Sequence, residues 1–430
     1  MIALGFVLLI LIGTLLLMLP VSSRAHTGTR FSDSLFTATS AVCVTGLVVR
    51  DTASHWSVFG QAVILFLIQI GGLGVVTAAL ALYYISGRKI GFMQRSAMQE
   101  AISAPQVGGI VRLTRFIVLT TLSVELIGSL LLMPVFVPEF GWPMGIWYSV
   151  FHSVSAFCNA GFDLMGVHGA FSSMTAYAQN VLVNVTLILL ITIGGIGFLV
   201  WDDVRQHRHH LKLYRLQSKI ALTASGILIL VPFLWMLFSE TDQLPFGERI
   251  LPSLFQSVTL RTAGFNTMDL SSVGGGGQAL MILSMLIGGS PGSTAGGMKT
   301  TTGAILILNA VAIFRRQDHA TCFGRRIGED IVRNAVAILT MYFLMFFIGG
   351  MIISRIEGLP LITCLFETAS ALGTVGLSLG ITTQVGRASR LILVGLMFMG
   401  RVGGLTLIYA AQSVRRSSAC SLPLEKVTVG

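Results

Sequence analysis

Charge is what this chain has least of. Asp, Glu, Lys and Arg make up 11% of its 430 residues, about half the share of an ordinary soluble domain. Set beside 53% hydrophobic residues, that scarcity excludes a soluble protein of this length and indicates a membrane protein. Cysteine is sparse too. Cys43, Cys158, Cys322, Cys364 and Cys420 fall at neither metal-ligand nor disulfide spacings, which excludes a zinc module and a disulfide scaffold. Cys43 and Cys158 read as small packing residues. No serine–histidine–acid set and no carboxylate pair at a working spacing occurs, so nothing indicates an enzyme. His207-Arg208-His209-His210 lies in a basic loop and reads as a solvated face or partner contact rather than a metal site.

What is present is apolar length. Runs near 2–20, 57–86, 113–136, 177–201, 217–239, 278–314, 330–354 and 388–413 each supply the roughly 20 residues that cross a bilayer as a helix. The first run lacks the basic start of a secretion signal and is kept as a span. The net charge of +10 is unevenly placed. Eighteen of the 28 basic residues fall in 87–115, 202–219, 315–333 and 414–430, each after an even-numbered run. Eight fall in the opposite loops, beside ten acids. This bias predicts a multi-pass plasma-membrane protein with both termini and the basic loops in the cytoplasm. The basic loops suit an acidic partner or anionic lipid headgroups, and the distribution gives no sign of nucleic-acid binding.

One degenerate segment occurs four times between the runs: SLFTATSAVCVTGLV (34–48), SVFHSVSAFCNAGFD (149–163), SLFQSVTLRTAGFNT (253–267) and CLFETASALGTVGLS (364–378). Each begins at a phenylalanine (Phe36, Phe151, Phe255, Phe366) and reaches a glycine (Gly46, Gly161, Gly264, Gly376) ten residues later, or nine in the third copy. An apolar stretch of that length cannot cross. It enters as a half-helix and returns as extended backbone, which at membrane depth must line a cavity or be buried in protein. Glycine permits positive φ and lets carbonyls turn toward an axis without a Cβ clash. The candidate filter is therefore Val42, Cys43, Val44, Thr45 and Gly46; Cys158, Asn159, Ala160 and Gly161; Thr262, Ala263 and Gly264; and Gly373, Thr374, Val375 and Gly376. Half-helix C-termini aimed inward favour a cation. The predicted fold is an all-α polytopic membrane protein of four membrane–pore–membrane repeats (1–86, 113–201, 217–314, 330–413) with a C-terminal tail, 414–430. It has eight transmembrane helices and four re-entrant half-helices around a pseudo-fourfold axis.

A second signal recurs within the even-numbered runs: Gly71-Gly72-Leu73-Gly74, Gly194-Gly195-Ile196-Gly197, Gly288-Gly289 and Gly400-Arg401-Val402-Gly403-Gly404. Close helix packing accounts for the first two. The third continues as Gly288, Gly289, Ser290, Pro291, Gly292, Ser293, Thr294, Ala295, Gly296, Gly297, Met298 and Lys299. Five glycines and a proline make a continuous helix unfavourable. The stretch reads either as a gate loop beneath the filter or as a loop between two shorter spans. A nucleotide-binding P-loop fails, because Met298 and not glycine precedes the lysine. Arg401 is an intramembrane cation expected to bond loop carbonyls and raise a barrier to cations, against the alternative of snorkelling. Lys299 is expected to snorkel to the cytoplasmic interface. Arg261 is expected to brace its loop against Glu367 or Asp269. Glu125, mid-span, reads as an interspan hydrogen-bonding group or a group coupling a second ion.

VCVTGLV, AFCNAGFD, TLRTAGFNT and ALGTVGLS resemble the four filter loops of the Trk/Ktr/HKT cation transporter superfamily, and GGSPGSTAGGMKTTT and MGRVGGLT most resemble the bacterial Ktr membrane subunit. The resemblance covers nearly the whole chain. It implies potassium as the substrate, bound at the backbone of Val44, Thr45, Asn159, Thr262, Ala263, Thr374 and Val375. It also implies a homodimer, a cytosolic ring of nucleotide-binding regulatory subunits, and sodium as modulator or co-ion, with no cofactor bound by this chain. In plant relatives a serine at the first filter glycine accompanies sodium permeation, so Gly46 favours potassium. The four filter stretches differ from one another, which leaves a less selective sodium/potassium transporter as the alternative.

Overall fold

The computed structural model describes residues 2–74, 99, 109–403 and 425. Its helices are α1 (Ile2–Met18), α2 (Phe31–Val42), α3 (Val58–Leu73), α4 (Ile110–Phe140), α5 (Met144–Phe157), α6 (Val181–Gly195), α7 (Phe198–His207), α8 (Leu216–Trp235), α9 (Phe246–Thr259), α10 (Gly275–Leu286), α11 (Thr300–Phe314), α12 (Glu329–Glu357), α13 (Leu361–Gly373) and α14 (Arg387–Val402). A two-residue antiparallel pair, Thr321–Cys322 with Arg325–Arg326, joins α11 to α12.

Among the described residues three helices are long and apolar enough to cross a bilayer: α4, α12, and α8 with its π-turn to Glu240. Of the other predicted runs, 2–20 is the continuous 17-residue helix α1, and the remaining four are interrupted. The 177–201 run is two helices, α6 and α7, bent by 94°. The 278–314 run is α10 and α11 separated by the glycine loop. The 57–86 and 388–413 runs leave helix at Gly74 and Gly403, and their remainders (75–86, 404–413), the 414–430 tail and Cys420 lie outside the described residues. The cause is shared: Gly74, Gly197 and Gly403 have φ of 85°, 102° and 88° with ψ of 133°, 139° and 141°, a conformation that side chains resist.

The half-helices α2, α5, α9 and α13 are buried through their C-terminal halves, with Phe36, Phe151, Phe255 and Phe366 at 0% exposure. These repeated phenylalanines therefore anchor the half-helices in the core, and the outward faces of the flanking helices stay apolar (Leu126, Leu230 and Phe343 are exposed). The helix after each loop packs against the next half-helix: α3 on α5, α6 on α9, α10 on α13, and α14 back on α2. Those contacts close a circle.

The turns are capped by local chemistry. Ser57 and Asn180 accept N–H bonds from Gly60 and Val183 at the starts of α3 and α6, as N-caps do. Where the cap is a glycine, an acid from the preceding long helix substitutes. Glu240 accepts from Gly274 N–H, and Glu357 from Gly386 N–H, each at 2.9 Å. Buried Asp33, at the start of α2, takes Arg50 at 2.9 Å and Arg390 of α14 at 2.8 Å, fastening the seam where the circle closes.

Candidate cation pathway

The four repeated segments meet at the centre. Each half-helix ends, one residue takes positive φ, one does not, and the glycine takes positive φ again: Val44 56° and Gly46 92°, Asn159 57° and Gly161 68°, Thr262 70° and Gly264 82°, Thr374 51° and Gly376 95°. Left-handed φ at non-glycine residues is uncommon, so its recurrence marks one backbone path built four times. The residue before each glycine hangs from the half-helix. Thr45, Ala160, Ala263 and Val375 N–H donate to the carbonyls of Ser40, Ser155, Thr259 and Ser370 at 2.8, 2.8, 3.0 and 2.8 Å.

The glycines are forced by their neighbours. A Cβ on Gly46 would lie 2.6 Å from the Ala160 oxygen, on Gly161 2.7 Å from that of Ala263, on Gly264 2.5 Å from that of Val375, and on Gly376 2.2 Å from that of Thr45. Each loop thus lays a carbonyl against the next loop's glycine, and the four contacts close a ring. Dipolar oxygens gathered this closely are chemically suited to a dehydrated monovalent cation.

Four residues of the predicted filter belong elsewhere. Val42 and Gly373 are the last helical residues of α2 and α13, and Cys43 and Cys158 are right-handed helix caps. The Val42 carbonyl packs against Gly71, where a Cβ would approach to 2.1 Å. The positive-φ path begins at Val44, Asn159, Thr262 and Thr374, two residues later than predicted in the first loop, one later in the second and fourth, and as predicted in the third. Cys43 and Cys158 are buried free thiols.

Above the ring lies a cavity of about 350 Å3, lined by all four glycines and by Asp51, Asp163 and Asp269, with no lysine or arginine. The Ser271 side chain and backbone N–H, bonded to Asp269, hold its carboxyl below the usual range, so it keeps its charge into mild acid. A second cavity of about 590 Å3 lies on the other side and carries Lys299, Arg326 and Arg401.

The Gly288–Lys299 stretch is a non-helical loop directly beneath the ring. A Cβ on Gly296 would strike the Thr374 side chain, 2.2 Å from Oγ1, and one on Gly297 would meet the Gly373 oxygen at 2.9 Å. The loop is stitched to the glycine breaks around it. Ser290 and Thr294 N–H donate to Gly195 and Gly194 oxygens at 3.0 and 3.2 Å, Gly297 N–H to Gly400 oxygen at 3.2 Å, and Gly292 oxygen accepts from Phe198 N–H at 2.6 Å. Thr294 Oγ1 also donates to the Phe157 carbonyl at 3.0 Å. Arg401 completes the seam, donating to the carbonyls of Thr294 and Gly71, and to that of Gly72 at 3.1 Å. Arg401 thus bonds backbone carbonyls of the loop and of the first break.

Two expectations change. Lys299 does not reach outward; its ammonium turns back to the Ala295 carbonyl at 2.8 Å. Arg261 has no acidic partner among the described residues, and its Nε and Nη2 are buried without a hydrogen bond. Glu367 is occupied by Ser378 and Thr382, and Asp269 by Ser271. Glu125 proves to be an interspan group: it accepts from Gln69 Nε2 of α3 at 3.1 Å and lies 3.9 Å from the Cys158 thiol behind the second loop. Among the described residues no group of three or more metal-ligating side chains occurs, and His207–His210 stay at the solvated end of α7.

The sequence reading missed the Asp33–Arg390 brace, which no local spacing announces. It also missed the hydroxyl four residues after each marker phenylalanine (Ser40, Ser155, Thr259, Ser370), whose fourfold recurrence was legible.

Residues 2–420 match the family model of the cation transport protein TrkH. The chain belongs to this family of cation transporters. It is 39% identical to the potassium/sodium uptake protein NtpJ of Enterococcus hirae, over 100% of this chain and 96% of that protein. It is 38% identical to Ktr system potassium uptake protein B of Bacillus subtilis, over 97% of this chain and 93% of that one. The crystal structure of the potassium transporter TrkH from Vibrio parahaemolyticus superposes with a TM-score of 0.73 at 20% identity, covering 95% of this chain and 84% of the other, a likeness of fold. As a TrkH-family cation transporter the protein is a membrane protein and not an enzyme, and its helical fold is the one found in that neighbour.

Proposed function

We propose that this TrkH-family member takes up potassium across the bacterial plasma membrane through the ring of backbone carbonyls. The observation that carries the reading is the closed circuit of oxygen-against-glycine contacts from Gly46 to Gly376. Potassium is bound by the carbonyls of Val44, Thr45, Asn159, Thr262, Ala263, Thr374 and Val375. The upper, acidic cavity faces outside and concentrates cations. The loop from Gly288 to Lys299, locked by Arg401, is the gate, and ions move down their electrochemical gradient when it opens.

The relatives' names support potassium as the substrate and a multi-subunit Ktr-type system. In that setting two copies of this chain dock on a cytosolic ring of nucleotide-binding regulatory subunits, with the basic loops, the tail 414–430 and both termini on the cytoplasmic side. The chain divides into four repeats, 1–86, 113–201, 217–314 and 330–413, each a span, a half-helix and a second span, about a pseudo-fourfold axis. Sodium acts as modulator or co-ion. The name of the Enterococcus relative favours a second reading, a less selective potassium/sodium carrier.

The deciding experiment is cation flux in proteoliposomes and in potassium-uptake-deficient cells, comparing wild type with Gly376→Ser. Selective potassium uptake that loses selectivity in the variant is expected. Comparable sodium flux in the wild type selects the second reading. Uptake indifferent to the substitution places the site elsewhere.

A further inference from the structure

Away from the central pathway, where α2 packs on α14, lies a groove of about 540 Å3, within the size range of small-molecule sites. Its lining holds three arginines, Arg30, Arg387 and Arg390, and no acid. But for one serine the rest is apolar: Phe31 and Leu35 from α2, Leu391 and Val394 from α14. Both helices set their cations at the start and carry apolar groups further in. Phe31 and Leu35 are four residues apart, as are Arg387 and Leu391, and Arg390 and Val394, so each pair shares a helix face. Phe31 and Leu391 are 53% and 61% exposed, on a protein whose surroundings are lipid. The groove lies at the upper cavity's end of the molecule, because Arg390 Nη2 donates at 3.1 Å to the carbonyl of Thr383, a residue that lines that cavity.

The charges do not balance within the protein. Asp33 is the acid at this seam, and both of its oxygens are taken, Oδ2 by Arg50 Nε at 2.9 Å and Oδ1 by Arg390 Nη1 at 2.8 Å. Arg390 is satisfied as well, since its Nε donates to the Val385 carbonyl at 3.0 Å. Arg30 and Arg387 are exposed, and their side chains have no acid or acceptor among the described residues. Snorkelling to water accounts for a single cation at a helix start. It does not account for two unpaired guanidiniums, one from each helix, on the same apolar groove.

We infer that this groove binds an anionic phospholipid of the leaflet on the upper cavity's side. The lipid phosphate takes Arg30 and Arg387, whose planar forks match phosphate oxygens. An acyl chain lies along Phe31, Leu35, Leu391 and Val394. A free inorganic anion would use the arginines and leave the apolar floor bare. A zwitterionic lipid would bring its own cation up to the guanidiniums, so a headgroup with net negative charge fits better. The bound lipid joins α2 to α14, the pair at which the circle closes, and braces the Asp33–Arg390 seam from the membrane side. The site concerns the lipid-facing surface and stands whether or not the ring conducts potassium.

The test uses the full chain, stripped of lipid in detergent and returned to phosphatidylcholine vesicles with or without phosphatidylglycerol. Phosphatidylglycerol is expected to raise the melting temperature of the wild type. Its apparent affinity falls about tenfold or more in R30Q/R387Q, the fold-change of a lost charged hydrogen bond. R30K/R387K keeps the charge without the fork and lies between the two. Leu391→Ser, on the exposed apolar floor, also weakens the lipid. R315Q/R316Q removes two arginines beyond α11 and responds as wild type. Should the first pair not fold, Arg30→Gln and Arg387→Gln each carry the same loss at smaller size. Equal phosphatidylglycerol affinity in wild type and R30Q/R387Q overturns the site, and so does an equal loss in R315Q/R316Q, which marks a general charge effect. Protection by inorganic phosphate alone, indifferent to Leu391→Ser, overturns the lipid in favour of a free anion. A change of oligomeric state in R30Q/R387Q with no response to phosphatidylglycerol overturns it in favour of a second copy of the chain.

Discussion

Three of the four glycine breaks below the ring are alike, and the third is not. Gly71, Gly194 and Gly400 rest on the carbonyls of Val42, Phe157 and Leu372, where a Cβ would lie 2.1, 1.9 and 2.0 Å away. Each of those carbonyls is four residues before its ring glycine. Three residues further on, Gly74, Gly197 and Gly403 leave the helix with the same positive-φ geometry. Packing and breaking are thus one motif: the first glycine lets the helix touch its half-helix, and the last turns the chain aside. In the third unit the break is the whole stretch between α10 and α11. The loop's hydrogen bonds reach the second and fourth breaks directly, and Arg401 ties it to the first. Three breaks turn the chain aside below the ring, and the third unit's loop lies directly beneath it.

This contrast can be broken hardest at the packed glycines. Gly194→Ala places a methyl inside the Phe157 carbonyl contact and also 2.9 Å from Thr294 Oγ1. Overpacking of this kind costs about 1–3 kcal/mol or more, and a large fall in melting temperature with loss of flux is expected in a thermal-shift and uptake assay. A variant as stable as wild type would show that the backbone contact is not needed. Arg401→Ala addresses the lock. It removes charge-assisted bonds worth about 1.5–3 kcal/mol each, and uptake rises by about tenfold or more in protein that still folds; unchanged or lower flux would rule out the barrier role. Gly403→Ala has no steric neighbour within 4 Å among the described residues, so only its backbone conformation is charged, about 1–3 kcal/mol. A milder melting shift than for Gly194→Ala separates turning from packing. The smallest effect belongs to Thr294→Val, which removes one bond to Phe157. A rise in uptake of about fivefold, well below that of Arg401→Ala, would rank the locks; equal effects would mean that the arginine acts through Thr294 alone.

The parts legible in the sequence were those where backbone crowding leaves one residue type. Gly46, Gly161, Gly264 and Gly376 had to be glycine because a neighbour's oxygen occupies the Cβ position, and their repetition exposed the ring. The loop after Gly288 was legible because its composition defeats a helix. What escaped was set by partners distant in sequence. Nothing near Arg390 names Asp33, and nothing near Lys299 says that its ammonium turns back to Ala295. Arg261 suggested an acidic partner because a buried cation ordinarily has one, and among the described residues none is found. The predicted spans ran past Gly74, Gly197 and Gly403 because hydropathy measures apolar length and is blind to a change in φ. Val42, Cys43, Cys158 and Gly373 entered the predicted filter because the last helical residue looks like the first extended one until the carbonyl directions are known.

The seam between α2 and α14 has a consequence for how the protein is made. Arg390 reaches Asp33 across 357 residues of chain, and α14 is the last described helix to arrive. The first half-helix therefore stays without its neighbour through most of synthesis. A ribosome that stalls or aborts partway leaves an arc in the membrane instead of a finished ring, and an arc has no axis along which ions can run.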